Sequence, residues 1–156
     1  MADTNNSTII EDEEEYDLKD RYLTFYVGRE AYGIPIKDVI EIIGMQSITP
    51  VPETEEYIKG VINLRGKVIP VLDIRMRFNM PSTGYDERTC IVVVVHGDNL
   101  VGLVVDQVAD VIDIPEDCID PSPQLDQNES SYVDGVGQLG DEVKMLLSLP
   151  KLLAKD

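Results

Sequence analysis

The chain contains the same unit twice, and this repeat limits its fold more than any other feature. Residues 25–39 lie over residues 94–108 at a step of 69, which places Gly28 on Gly97, Gly33 on Gly102, Ile36 on Val105 and Val39 on Val108. Tyr57-Ile58-Lys59-Gly60-Val61 lies over Tyr132-Val133-Asp134-Gly135-Val136 at a step of 75. At that step Leu64 meets Leu139, Val68 meets Val143 and Leu72 meets Leu147. The six additional residues of the second copy fall within 115–131, a stretch containing Pro115, Pro121, Pro123 and Asn128. A repeated unit that cannot bury its apolar face alone is stabilised by packing on its neighbour.

Each copy reads mainly as strands joined by tight turns. Residues 22–27 and 31–36 flank Gly28-Arg29-Glu30, and 90–96 and 100–105 flank Gly97-Asp98-Asn99. Residues 61–64 and 67–73 flank Arg65-Gly66, and 136–139 and 142–147 flank Gly140-Asp141. The run Cys90-Ile91-Val92-Val93-Val94-Val95 is apolar at consecutive positions, as in a strand buried on both faces. Pro35 and Pro70 belong at a strand edge or near a bulge, because proline has no amide hydrogen for a ladder. Short helical turns are expected at 36–43, 74–78 and 150–154, the last with Pro150 in its first turn. Two such units are small to stand alone. The expected architecture is all-β, two tandem five-stranded barrels packed around a shared apolar interface and a pseudo-two-fold axis. Residues 21–87 form the first barrel and 88–156 the second. A single two-sheet sandwich is the rival, and the repeat favours the barrels.

Charge narrows the function. The 156 residues carry a formal charge of −17, which repels phosphate backbones and anionic lipid, so nucleic-acid and membrane-surface roles are disfavoured. Much of that charge lies in residues 1–20, where eight carboxylates face only Lys19, and this segment is expected to be a disordered acidic tail. The N-terminus has neither a basic segment nor a long apolar one, so it does not read as a secretory signal, and no apolar run approaches bilayer length. Cys90 and Cys118 read as reduced cytoplasmic thiols, without the spacing of a redox or zinc motif. His96 stands alone, and no phosphate-loop, dinucleotide, metalloprotease or nucleophile-elbow pattern is present. Asp73, Asp106, Asp110 and Asp113 lie at or after strand ends, as chance places carboxylates in so acidic a chain. No catalytic residue, metal site or cofactor is therefore expected, and a small acidic hydrolase is the least favoured reading.

The repeat also points to a site, because a position that differs between copies is free to serve function. Asn63-Leu64-Arg65-Gly66 in the first copy corresponds to Gln138-Leu139-Gly140-Asp141 in the second, so Arg65 takes a glycine's place at a turn tip. It offers a planar five-donor fork either to a partner or to a carboxylate of its own chain.

The segment Tyr57-Ile58-Lys59-Gly60-Val61-Ile62-Asn63-Leu64-Arg65-Gly66-Lys67-Val68-Ile69-Pro70-Val71-Leu72-Asp73 closely resembles the signature of CheW-like domains. The likeness runs from Tyr22 to about Ala154 and includes Tyr32-Gly33-Ile34, Val39-Ile40-Glu41-Ile42, Val101-Gly102-Leu103-Val104-Val105-Asp106, Val108-Ala109-Asp110-Val111 and Gly135-Val136-Gly137. The resemblance implies one CheW-like domain of two SH3-like barrels. It also implies a cytoplasmic, non-catalytic adaptor of chemotaxis signalling that joins the cytoplasmic tips of chemoreceptors to the regulatory domain of the histidine kinase CheA at receptor arrays. An adaptor of another receptor–kinase pathway is the alternative. Carried over by residue, receptor contact falls on Val39, Glu41, Ile42, Gly60, Asn63, Arg65 and Val111 in a groove between the barrels, with Thr89, Cys90 and Ile91 nearby. Val39 and Ile42 are expected to share one face of a short helix. Kinase contact falls on an exposed apolar end of the first barrel, around Ile48, Val51, Ile58 and Leu64.

Overall fold

The computed structural model describes residues 18–81, 84–121 and 132–154. The expected acidic tail lies outside these residues, except for a 3-10 turn at Leu18–Asp20. The first half contributes β1 (Arg21–Val27), β2 (Glu30–Pro35), β3 (Val39–Gly44), β4 (Ile58–Leu64), β5 (Lys67–Asp73) and the short helix α1 (Ile74–Arg77). The second half contributes β6 (Cys90–His96), β7 (Asn99–Val105), β8 (Gln107–Asp113), β9 (Ile119–Asp120), β10 (Val133–Leu139), β11 (Glu142–Leu147) and α2 (Leu149–Leu153).

The strands form a five-stranded sheet, β3-β6-β7-β5-β4, and a six-stranded sheet, β8-β1-β2-β11-β10-β9. Under the repeat β1 to β5 correspond to β6, β7, β8, β10 and β11, and the two strand orders then become the same order. Neither sheet belongs to one half. Each takes its first hairpin from one copy and its other three repeat strands from the other copy. The boundary expected between residues 87 and 88 therefore does not separate the sheets.

Chain geometry explains the exchange. In the six-stranded sheet β1 runs antiparallel to both β2 and β8. If β3 held the place of β8, it would lie parallel to β2 with β1 between them. The link from β2 would then have to run back along the strand, about 20 Å. Only Ile36–Asp38 separate Pro35 from Val39, and they reach about 14 Å when fully extended. The link is too short, so β3 enters the other sheet.

Both sheets roll. Arg65, in the turn after β4 at one end of the five-stranded sheet, is ion-paired with Glu41 on β3 at the other end. In the six-stranded sheet Ile114, just past β8, packs under Gly137 of β10. The residues of β6 alternate between two cores. Ile91 and Val93 face a core with Ile62, Ile69, Val71 and Val104, while Val92 and Val94 join the larger core that both sheets share. This is the doubly buried strand expected from its unbroken apolar run, and the larger core is the shared apolar interface.

The repeat extends to the hydrogen bonds at the strand ends. Asp73 and Ser148 are equivalent residues, each accepting a bond from an amide three residues on and so capping α1 and α2. Their own amides donate to the carbonyls of the equivalent tyrosines, Tyr57 and Tyr132, both at 2.8 Å. Arg77 breaks the equivalence, since its counterpart is Leu152. It is buried between the Tyr57 and Tyr132 rings, 4.1 and 4.9 Å from their centroids, and donates to the carbonyls of Leu152 and Ala154.

Three local expectations need correction. Residues 39–44 are strand, not helix, and only Ile36–Asp38 form a 3-10 turn. A run of β-branched residues beside the doubly buried β6 gains more from a ladder than from a helical turn. Residues 107–113 form β8, which the sequence reading leaves unassigned, and a short β9 precedes residues 122–131, which lie outside the described residues. The prolines fall where a missing donor is tolerated. Pro35 ends β2, and Pro70 precedes the β5–β7 ladder, which starts at Val71.

Candidate protein-interaction site

Six of the seven residues expected to contact a receptor lie on the five-stranded sheet, on or beside its edge strands β3 and β4. Gly60 holds the β4 side in place. It sits beside a bulge in the β4–β5 ladder with φ at +148°, and a Cβ there would lie 2.1 Å from the Thr49 carbonyl oxygen. That close approach lets Thr49 and Val61 exchange two backbone hydrogen bonds of 2.9 Å, so the chain leading out of β3 returns alongside β4.

The turn between β4 and β5 has left-handed backbone at both central positions, with φ +53° at Arg65 and +84° at Gly66. These are the signs a two-residue I′ hairpin requires, and arginine adopts them only against steric resistance. The Asn63 side-chain oxygen accepts from the Gly66 amide at 2.8 Å and fixes the turn. From this base the guanidinium grips the Glu41 carboxylate with two parallel bonds of 2.5 and 2.8 Å. The pair sits at the surface, where the Arg65 hydrogen bonds and, more weakly, its charge hold the Glu41 carboxyl below its ordinary pKa. Of the two uses open to the Arg65 fork, the structure shows the bond within the chain.

The same edge strand, β3, leaves the apolar side chains of Ile40 and Ile42 exposed at 51 and 43%, with Ile42 on the opposite face from Glu41, since it pairs with Val92 of the larger core and Glu41 with Val93 of the smaller one. Val39 and Ile42 lie opposite Val94 and Val92, both residues of the larger core, so across the bulge before Glu41 they share one face of a strand in place of the expected helical face. Ile40 was missed, and its signal was the strand alternation hidden by the helical assignment. Val111 lies apart from the other six, exposed on β8 at the edge of the six-stranded sheet and paired with Leu23. It is the repeat equivalent of Ile42, so the two rolled sheets present matching apolar edges. Of the nearby residues, Ile91 is wholly buried and Thr89 nearly so, which removes both from any surface, while Cys90 is half-buried.

The expected kinase end is only partly exposed. Val51 is open to solvent, but Ile48 and Leu64 pack on the smaller core and Ile58 on the larger one. Their hydrophobic side chains serve the fold first. The neighbouring surface holds a cleft of about 460 Å³ lined by Ile58, Val68, Pro70, Leu100 and Leu153, with His96 at its rim. Val68 is 65% exposed and was not anticipated, although its repeat partner Val143 is exposed as well.

Asp106 carries the other strong ion pair. It receives Arg75 through Nη2 at 2.6 Å and Nε at 2.9 Å, and the Gly28 amide at 2.7 Å. Burial works to raise its pKa, but these bonds and the Arg75 charge outweigh burial and the net shift is downward. The arrangement ties the turn after β1 to α1 and carries no reacting group. Among the described residues, no three His, Cys, Asp or Glu side chains converge on a metal position.

The CheW-like domain family model matches residues 21–156. Chemotaxis protein CheW of Klebsiella aerogenes is 38% identical over 136 residues, covering 86% of this chain and 82% of the relative. Chemotaxis protein CheW of Helicobacter pylori is 34% identical over 136 residues, with coverage of 87 and 82%. Protein FrzA of Myxococcus xanthus is 33% identical over 134 residues, with coverage of 85 and 84%. The crystal structure of the scaffolding protein TtCheW from Thermoanaerobacter tengcongensis aligns with a TM-score of 0.82 at 36% identity, over 88% of this chain and 94% of that one.

Proposed function

The chain belongs to the CheW-like domain family, whose members are non-catalytic scaffolds, and on that premise we propose that it couples chemoreceptor tips to the histidine kinase CheA in chemotaxis. It works in the cytoplasm at receptor arrays, and among the described residues no helix is long and apolar enough to cross a membrane. The observation that carries the reading is an edge strand that exposes Ile40 and Ile42 and whose Glu41 is clamped by Arg65, on a turn whose equivalent in the other sheet is glycine. A receptor tip built of helical hairpins needs apolar anchors and a few polar contacts to fix its orientation. Val39, Glu41, Ile42, Gly60, Asn63 and Arg65 provide or support such a surface, and Val111 adds an apolar contact from the other sheet. Kinase contact falls on the neighbouring end of the five-stranded sheet, through Val51 and the accessible parts of Ile48, Ile58 and Leu64.

The test is a pull-down of the purified protein with the regulatory domain of the kinase and, separately, with a receptor cytoplasmic fragment, using wild type and Arg65→Ala. The expected result is kinase binding by both proteins and receptor binding by wild type alone. Failure of both proteins to bind the kinase would sink the coupling role. It would then favour an adaptor of another receptor–kinase pathway.

A further inference from the structure

We propose that two copies of this chain can trade halves, the part up to α1 of one copy pairing with the part from β6 onward of the other, to give a closed two-fold dimer. The partner is a second copy of the chain.

The argument begins with where the strand pairings lie. Four ladders, β1–β8, β2–β11, β3–β6 and β5–β7, join a strand of the first half to a strand of the second. A half alone retains only hairpins and their short extensions, and a two-stranded hairpin is marginal in water. The larger core divides in the same way. Leu23, Phe25, Tyr32 and Ile34 of the first hairpin pack with Val133, Met145 and Leu147 of the second half. Each half is therefore completed by the other, as the subunits of an obligate dimer are.

One segment joins the two halves covalently, the stretch from Phe78 to Thr89 between α1 and β6. Every cross-half ladder and core contact can form unchanged with the complementary half of another copy. The exchanged dimer then has two complete two-sheet bodies, with closed symmetry and no new exposed edge. The hairpin β1–β2 alone is a poorer unit to trade, because Ile36–Asp38 tether it too closely to β3. What favours the monomer is effective concentration. A short tether holds the partner half at roughly millimolar concentration, so exchange is slight in dilute solution and is captured when unfolded chains refold together in concentrated solution. Two chains of charge −17 also repel, so near-physiological salt is needed to screen them.

Arg21 on β1 and Asp113 on β8 are ladder partners, joined by a 3.2 Å ion pair across the two halves. In a Cys90→Ser, Cys118→Ser background, one full-length chain carries Arg21→Cys and a second carries Asp113→Cys. Neither alone can form an internal disulfide. The two are unfolded together, refolded in concentrated solution, oxidised and separated without reductant. The expected result is a disulfide heterodimer several-fold more abundant than for Arg21→Cys with Asp98→Cys, and absent when the original pair is folded separately before mixing. Two results overturn the proposal, namely a yield no higher than that of the control pair, or equal crosslinking after simple mixing of folded proteins, which reports surface contact without exchange.

Discussion

The turns at residues 65–66 and 140–141 occupy equivalent places in the two rolled sheets and show what the fold requires apart from what it permits. Both need a left-handed residue first, with φ +53° at Arg65 and +61° at Gly140. Glycine meets that need without steric cost, so the second sheet shows the solution dictated by backbone alone. The first sheet uses arginine in the same conformation and directs it at Glu41. The repeat equivalent of Glu41 is Asp110 on β8, and the equivalent turn carries no arginine. One sheet thus holds a clamp and the other an unarmed version of the same geometry. Backbone resistance is accepted at one copy only, where the arginine gains two hydrogen bonds to Glu41.

Substitutions at equivalent positions test this contrast, and the glycines that support the two sites give the largest effect. Gly60→Ala drives a methyl into the Thr49 carbonyl at 2.1 Å and at a left-handed φ, whereas at Gly135 the first obstacle is the Ile119 side chain at 2.9 Å. Urea unfolding is expected to show a loss of more than about 3 kcal/mol for Gly60→Ala and about 1–2 kcal/mol for Gly135→Ala. Equal losses would mean that the two halves hold their connecting strands equally tightly.

Arg77 comes next, as the buried side chain with no equivalent in the second half. Arg77→Met removes the donors to the Leu152 and Ala154 carbonyls and the charge between the Tyr57 and Tyr132 rings. A loss of roughly 3 kcal/mol in the same assay is expected. A neutral result would show that the tyrosines and α2 hold together through packing alone.

The turn itself should matter less to stability and more to binding. Arg65→Gly gives the first turn the second turn's residue, relieving the left-handed arginine while removing an exposed ion pair. Thermal unfolding close to wild type is expected, together with loss of receptor binding. Unchanged receptor binding would return Arg65 to a purely structural role. The reciprocal Gly140→Arg should bring Asp110 into an ion pair and leave the stability change smaller still. Failure of the introduced guanidinium to reach Asp110 in a crystal structure of the variant would show that the second edge is shaped differently.

The smallest effect is a titration. Because Arg65 lowers the folded pKa of Glu41, the pair's contribution is present above the unfolded carboxylate pKa and fades as pH falls through the folded value. By NMR the Glu41 carboxyl should titrate below the ordinary range in wild type and return upward in Arg65→Gly. Asp106 has the same sign through Arg75 and Gly28 and should be unaffected by the change at residue 65.

Much of this was legible from local rules. The hairpin turns follow from glycines at fixed offsets, and Cys90–His96 and Lys67–Asp73 emerge as strands with the expected bounds. The Arg65 position stood out because two copies of one unit differ there. What stayed hidden depends on neighbours far away in sequence. Ile40 and Ile42 face outward because β3 pairs with β6, and Ile48 and Leu64 are half-covered because their sheet rolls over them.

The sequence by itself determined that two like β-units share one core, where their chains turn, and which arginine departs from the repeat. Alternation, turn chemistry and internal similarity act over a few residues and can be read in order. Only the tertiary structure decided that each sheet is finished by the hairpin of the opposite copy, that Arg65 closes on Glu41, and that Arg77 lies between two equivalent tyrosines. Two copies with the same strand pattern can satisfy their ladders within or between themselves. The choice rests on whether three residues can span the length of a strand, a constraint that acquires meaning only once the strand's neighbours are known.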